Sequence, residues 1–180
     1  MKWLLYGLVG VVGVVMLAVL VLLLLGGARG ESRLQATVEI ARPAPVVFDW
    51  ITQPSRVQSW VGWLIEIRPL TPGEPRVGSR EVWVMEDRNN NNRRMEIESE
   101  IIGLGKDRML SARLVVPGGF QGTVTYGLEP MGQDRTRLQY VGDYQFEHWL
   151  ARLLEPVISR SAQQKLEEDL ARLKQLAEAQ

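Results

Sequence analysis

The chain has 180 residues, with 21 basic and 21 acidic side chains, no cysteine and a single histidine, His148. This balance argues against a nucleic-acid binder held mainly by phosphate contacts, which needs a surplus of cations. Without cysteine there is no disulfide and no thiolate, and one histidine removes most zinc sites and Ser-His-Asp triads. We therefore predict no nucleic-acid partner, no metal and no cofactor.

The first feature along the chain is an uncharged run, Trp3 to Leu25, dominated by Leu and Val. As a helix rising ~1.5 Å per residue it would measure about 34 Å, enough for a hydrocarbon core of about 30 Å. A signal peptide cleaved after Ala28 is the alternative, but apolar regions of signal peptides usually have only about 7–15 residues. We predict an uncleaved transmembrane anchor with its linker over residues 1–29.

Cations on the two sides of this run are nearly balanced. Lys2 precedes the run, while Arg29 and Arg33 follow it with Glu31 between them. The two flanks therefore carry nearly equal numbers of cations, and the positive-inside rule does not decide the orientation in the membrane. The sequence predicts a single-pass membrane protein and leaves the side of the following domain open.

Residues 30–180 have the size of one domain. Ser32 to Ala41 alternates between apolar and polar residues, which predicts a half-buried strand. Two short apolar helices follow, Pro45–Ile51 and Pro54–Val61, because proline suits the first turn of a helix and Gln53 to Ser55 breaks the pattern between them. Trp50 and Trp60 are predicted to pack beneath the end of a later helix.

Six further strands are predicted from period-two patterns separated by Gly, Pro and Asn turns. Asn89 to Asn92 is interpreted as a hairpin turn, since asparagine tolerates the left-handed backbone. Tight turns between consecutive strands indicate an antiparallel meander. The predicted strands are Trp63–Arg68, Gly78–Asp87, Arg94–Ile102, Arg108–Val116, Phe120–Leu128 and Thr136–Phe146.

The pattern changes to a helical period after Phe146. Apolar residues recur three and four apart from Trp149 to Ala177, with Lys165 among the polar residues of the opposite face. Pro156 predicts an early kink. A helix of this length, far above the average of about 11–12 residues, needs a large apolar surface to lie on. The inward face of a curved sheet supplies such a surface.

Several stretches, in this order, carry a resemblance to a known superfamily. They are Val38–Ile51 with its Ala-Arg-Pro-Ala-Pro-Val-Val-Phe helix entry, Trp60, Gly78–Arg80, Tyr126–Pro130 with Thr136–Leu138, and Lys165–Lys174. Together they resemble the START-like superfamily, also called Bet v 1-like or SRPBCC, and most of all its bacterial polyketide cyclase/dehydrase and lipid-transport branch. The resemblance implies an α+β helix-grip fold. In that fold a curved antiparallel sheet of about seven strands surrounds a long C-terminal helix, and two short helices follow the first strand.

The resemblance also implies a mostly apolar cavity between the concave face of the sheet and the long helix. The same residues could instead pack as a filled core. Three tyrosines among them attract interest because a buried phenol requires a hydrogen-bond partner, which a ligand could provide. The candidate cavity residues are Phe48, Trp60, Leu110, Leu114, Val124, Tyr126, Tyr140, Tyr144, Leu150, Leu154 and Ile158.

Catalytic signals are weak in this sequence. His148 is interpreted as a surface or helix-start residue, Asp143 alternates to the outside of the sheet, and Glu96, Glu98 and Glu100 form a solvated strand face. No catalytic residue is predicted, so a binding protein is favoured over an enzyme.

The predicted function is a protein of the bacterial inner membrane that binds a hydrophobic small molecule or lipid-like ligand. A polyketide cyclase- or aromatase-like enzyme acting on a hydrophobic chain is the first alternative. An interaction or assembly protein with a filled cavity is the second. The oligomeric state stays open.

Overall fold

The computed structural model describes residues 2–24, 30–87 and 92–179, without the side chains of residues 2–5, 7–9, 22–24 and 87. The predicted turn at Asn89–Asn92 falls largely outside the described residues. Asn92 itself has a φ of 55°, the left-handed conformation expected of that turn. The elements are α1 Lys2–Leu24, β1 Glu31–Ile40, α2 Ala44–Thr52, α3 Pro54–Trp60, β2 Leu64–Pro69, β3 Arg80–Asp87, β4 Arg93–Gly105, β5 Met109–Val116, β6 Phe120–Pro130, β7 Thr136–Phe146, α4 Trp149–Leu153 and α5 Glu155–Glu178.

The strands of the described chain form one antiparallel sheet in the order β1-β7-β6-β5-β4-β3-β2. The predicted seven-stranded antiparallel sheet is confirmed. The largest difference in strand length is in β4, which continues to Gly105 whereas the alternation predicted an end at Ile102. The register shifts between Ile101 and Gly103 because of a β-bulge. The bulge moves Leu104 onto the face of Leu110, its cross-strand neighbour, and so interrupts the alternation from which the strand end was predicted.

Two short helices close the sheet after β1, as predicted. Each carries a proline in its first turn, where the missing N–H costs nothing. Val47, Trp50 and Ile51 of α2 and Trp60 of α3 are buried. The indole N–H of Trp60 donates a 2.9 Å hydrogen bond to the carbonyl of Trp50 and so ties the two helices together.

The predicted C-terminal helix is confirmed, but it is broken rather than kinked. Its first part, α4, ends at Leu153, and α5 begins at Glu155 with Pro156 in its first turn. Pro156 has no N–H, and its ring would clash with the carbonyl of Arg152 in a continuous helix. The helix is therefore interrupted at Leu154, whose ψ of 1° is not helical. The Leu154 N–H still donates to the Leu150 carbonyl, and the Ile158 N–H donates to the Leu154 carbonyl, both at 3.0 Å.

The helix α5 covers both the core and one edge of the sheet. Leu170, Leu173 and Ala177 are buried in the core. Polar side chains of the same helix bond to the open backbone edge of β1, and this arrangement satisfies groups that an edge strand leaves unpaired. These bonds are Gln163 Nε2 to the Gln35 carbonyl (2.8 Å), Lys174 Nζ to the Glu39 carbonyl (2.5 Å) and the Ala41 N–H to Glu178 Oε1 (2.7 Å).

Among the helices that the structure describes, none combines the length and the hydropathy that crossing a membrane requires. The segment Trp3–Leu25 extends beyond the described residues, and the anchor stays a prediction.

Candidate ligand cavity

A cavity of about 400 Å³ lies between the concave face of the sheet and α5. Inward side chains of the strands form most of its wall, and Ile158, Ala162 and Leu166 of α5 form part of the rest. Its volume falls in the range of small-molecule sites, about 300–1,000 Å³. The space is therefore large enough for a ligand.

Most of the predicted cavity residues line this space: Trp60, Leu110, Leu114, Val124, Tyr126, Tyr140, Tyr144 and Ile158. Three lie elsewhere. Phe48 is half-buried against the core, while Leu150 and Leu154 are 43% and 37% exposed. Leu150 and Leu154 both precede α5, and the C-terminal helical region lines the cavity only from Ile158 onward. A role of the lining residues in ligand binding stays a prediction.

Aromatic rings form one wall of the cavity. Tyr126 lies edge-on to Trp60 and to Tyr140, with ring centroids 6.5 and 5.0 Å apart, and Phe120 lies edge-on to Tyr144 at 5.8 Å. These are favourable aromatic geometries, each contributing about 0.5–1.5 kcal/mol beyond area burial. The wall therefore presents ring edges and faces to the cavity.

Two glycines make room for the ring of Tyr144. A Cβ at Gly122 would lie 2.6 Å from Tyr144 Cδ1, and a Cβ at Gly142 would lie 2.7 Å from Cε2 of the same ring. Both glycines are inward positions of neighbouring strands. An inward glycine in phase with inward tyrosines is a sequence signal for this arrangement, and our sequence reasoning did not use it.

The three tyrosine hydroxyls differ in their partners. Those of Tyr140 and Tyr144 are 2.5 Å apart and bond to each other. The Tyr126 hydroxyl makes no hydrogen bond to any described residue, and its oxygen keeps accessible surface. Burial raises the pKa of all three phenols above the usual value near 10. They are therefore neutral at physiological pH, and Tyr126 is free to donate to or accept from a ligand.

Glu81 is a cavity residue that our sequence reasoning missed. It lines the cavity beside Trp83, whose indole N–H donates a 2.5 Å hydrogen bond to Glu81 Oε1. Burial raises the pKa of this carboxyl, and the hydrogen bond from Trp83 opposes the rise. The alternation of β3 indicates that Glu81 points inward, because it lies on the same face as Trp83 and Met85 and opposite the outward Val82.

Lys165 and Asp169 form an ion pair in the wall of the cavity, with side chains only 18% and 10% exposed. The carboxylate of Asp169 also accepts the Gly62 N–H at 3.1 Å, and Lys165 Nζ lies 5.8 Å from the centre of the Trp63 ring. We predicted Lys165 on the solvent face, and that prediction is wrong. The junction of α3 and β2 covers this side of α5, which a helical period alone does not reveal.

The remaining charged candidates lie away from the cavity, as predicted. Asp143 faces outward, 3.5 Å from Arg33. The three glutamates of β4 pair across the outer face with arginines of β2, β3 and β5, and these pairs are well exposed. His148 is exposed at the start of α4, where its Nδ1 accepts the Leu150 N–H at 3.2 Å as a helix cap.

A comparison with protein families gives one match over most of the chain. Residues 32–178 match the family described as polyketide cyclase / dehydrase and lipid transport. The chain belongs to this family. The predicted superfamily is thereby confirmed for the domain after the apolar segment. No curated protein matches the sequence significantly.

Solved structures of the same fold resemble this family member at low sequence identity. A conserved protein from Geobacillus kaustophilus has a TM-score of 0.67 at 9% identity, over 81% of this chain and 94% of its own. A protein from Thermus thermophilus has a TM-score of 0.63 at 19% identity, and the match covers 82% of this chain and 97% of that protein. A third structure is norcoclaurine synthase from Thalictrum flavum in complex with dopamine and hydroxybenzaldehyde. Its TM-score is 0.57 at 13% identity, and the match covers 81% of this chain and 86% of the synthase. At such identities the likeness extends to the fold alone.

Proposed function

We propose that this family member binds a hydrophobic small molecule or lipid-like ligand in the cavity between the sheet and α5. The cavity itself carries the proposal. It is an apolar space of about 400 Å³ beside a buried hydrophobic core. Empty apolar space in a protein is otherwise destabilising, because the side chains around it lose packing partners.

The polar groups of the cavity would orient such a ligand. The unpaired hydroxyl of Tyr126 offers one neutral hydrogen bond, and the carboxyl of Glu81 offers another. The aromatic wall between Trp60 and Tyr144 suits a planar or unsaturated group. The ligand favoured by these groups is mostly apolar and carries one or two hydrogen-bonding groups.

We further propose that residues 3–25 hold the domain at a membrane of the bacterial cell. The support is the sequence, an uncharged run of the length that a bilayer core requires. An anchor would keep the cavity close to the phase in which apolar ligands concentrate.

A second candidate function is catalysis on a hydrophobic chain, as in a polyketide cyclase or aromatase. It is favoured by one observation, the presence of Glu81, Lys165 and Asp169 in the cavity wall. Against it, Lys165 and Asp169 neutralise each other, and the raised pKa values keep the three phenols protonated, so that no phenolate is present to act as a base. Binding alone therefore ranks first. The empty volume weighs against an assembly protein whose own side chains fill the cavity.

Native mass spectrometry of the full-length chain tests the binding function. After expression in a bacterial host and release from micelles, we expect protein carrying one small-molecule adduct. The adduct mass should stay the same when the protein is prepared in two chemically different detergents, because a detergent adduct would change its mass. Protein that is empty in both detergents, and that stays empty after incubation with fatty acids and quinones, would refute the proposal.

A further inference from the structure

We propose that an exposed apolar patch on α4 and the start of α5 docks onto the bilayer surface. The patch consists of Trp149, Leu150, Leu154 and Val157, whose exposed fractions are 69%, 43%, 37% and 59%. Exposed tryptophan next to exposed leucine and valine is unusual for a face that meets only water. This inference rests on the proposed membrane anchor and adds a second, separate contact with the membrane.

The patch has the form of an interfacial amphipathic segment. Leu150, Leu154 and Val157 recur at four and three residues, so they lie along one side of the segment. Tryptophan favours the headgroup region, where its ring is apolar and its N–H remains wet. Such segments bury their apolar face about 5–10 Å into the boundary between headgroups and acyl chains.

The position of the patch favours a bilayer over another protein. The helix α4 is fixed against Gly30, because Arg152 Nε donates to the Phe146 carbonyl (3.0 Å) and the Phe146 N–H donates to the Gly30 carbonyl (2.8 Å). A Cβ at Gly30 would lie 2.6 Å from Arg152 Cγ. The backbone from Leu24 to Gly30 reaches at most about 20 Å when fully extended. An anchor in the membrane therefore holds the patch close to it.

Charge on the same segment is balanced, because the exposed Arg152 and Arg160 are matched by Glu147 and Glu155. Docking therefore rests on the apolar side chains and on their closeness to the anchor. Ile158, next to the patch, lines the cavity. Docking would thus place this part of the cavity wall beside the lipid from which an apolar ligand enters.

Spin labels on three valines test the docking directly, since the chain contains no cysteine. Val157→Cys reports the patch. Val77→Cys is the matched control, a valine of nearly equal exposure (61% against 59%) in the β2–β3 loop, and Val14→Cys reports the anchor. Each full-length variant is labelled with a nitroxide in nanodiscs of phosphatidylcholine and phosphatidylglycerol. The collision rate of the nitroxide with oxygen, which concentrates in lipid, is then compared with its collision rate with a nickel complex that stays in water.

We expect the label at residue 157 to lie about 5–10 Å below the lipid surface, the depth of an interfacial helix, while the label at 77 stays in water. A label at 157 as accessible to nickel as that at 77, with the label at 14 in lipid, would overturn docking and leave the anchor intact. Labels at 14 and 157 both in water would overturn both proposals. A label at 157 that is immobilised yet outside the lipid would mean that a second copy or another part of this chain covers the patch, and would also overturn docking.

Discussion

Replacing Leu173 with alanine is expected to lower the free energy of unfolding by about 2–5 kcal/mol, the range for a large aliphatic side chain removed from a packed core. Leu173 has no exposed surface and joins α5 to the core cluster with Leu170 and Ala177. Losing it weakens the contact that holds α5 over the sheet, and with it the wall of the cavity. Urea-induced unfolding of the full-length chain, followed by tryptophan fluorescence, measures the change.

A leucine at the surface provides the control for this substitution. Leu70 follows β2 and is 55% exposed, so Leu70→Ala should change the free energy of unfolding by no more than about 0.5 kcal/mol. If the two substitutions have equal effects, α5 is not held by its buried face as described.

Breaking the Lys165–Asp169 pair is expected to have an effect of similar size. Asp169→Leu leaves a largely buried ammonium and the Gly62 N–H without their partner, and removing one member of a buried pair costs about 3–5 kcal/mol. Lys165→Met leaves the carboxylate uncompensated in the same way. The double variant carries no buried charge, so it should lose less stability than the sum of the two single variants.

A double-mutant cycle on this pair measures the coupling, for which about 0.5–3 kcal/mol is typical of contacting residues. The exposed pair Arg33–Asp143, with side chains 61% and 59% accessible, serves as the control and should couple by about 0–1 kcal/mol. Strictly additive effects at Lys165 and Asp169 would mean that water screens the pair, which would contradict its burial.

The order and type of the elements could be predicted because the period of apolar residues matches the structure nearly everywhere. The exceptions have local physical causes. The bulge after Ile101 reverses the alternation of β4, and Pro156 ends a helix that the apolar spacing alone would continue. Both features depend on backbone geometry that a hydrophobic pattern does not record.

The apolar lining could be predicted for the same reason, whereas the polar groups of the cavity could not. Glu81 was not recognised as inward because β3 carries charged residues on both faces. Its spacing of two residues from Trp83 nevertheless places it on the inward face. Lys165 was assigned to solvent and no role was predicted for Asp169, since nothing local in the sequence indicates that Gly62 and Trp63 lie against that side of α5. Contacts between residues so far apart in the chain depend on how the helix is placed on the sheet.

Filling the cavity tests the central claim most directly. Ala162 of α5 lines the cavity, while Ala171 of the same helix is exposed, so Ala162→Phe and Ala171→Phe add the same ring inside and outside. Quenching of tryptophan fluorescence by a brominated fatty acid is titrated for both variants in identical nanodiscs, which cancels the quenching that arises in the lipid. If the cavity binds apolar ligands, Ala171→Phe should match the unsubstituted chain, and Ala162→Phe should bind at least about tenfold more weakly, roughly 1.4 kcal/mol. Equal saturable quenching in both variants would contradict binding in the cavity.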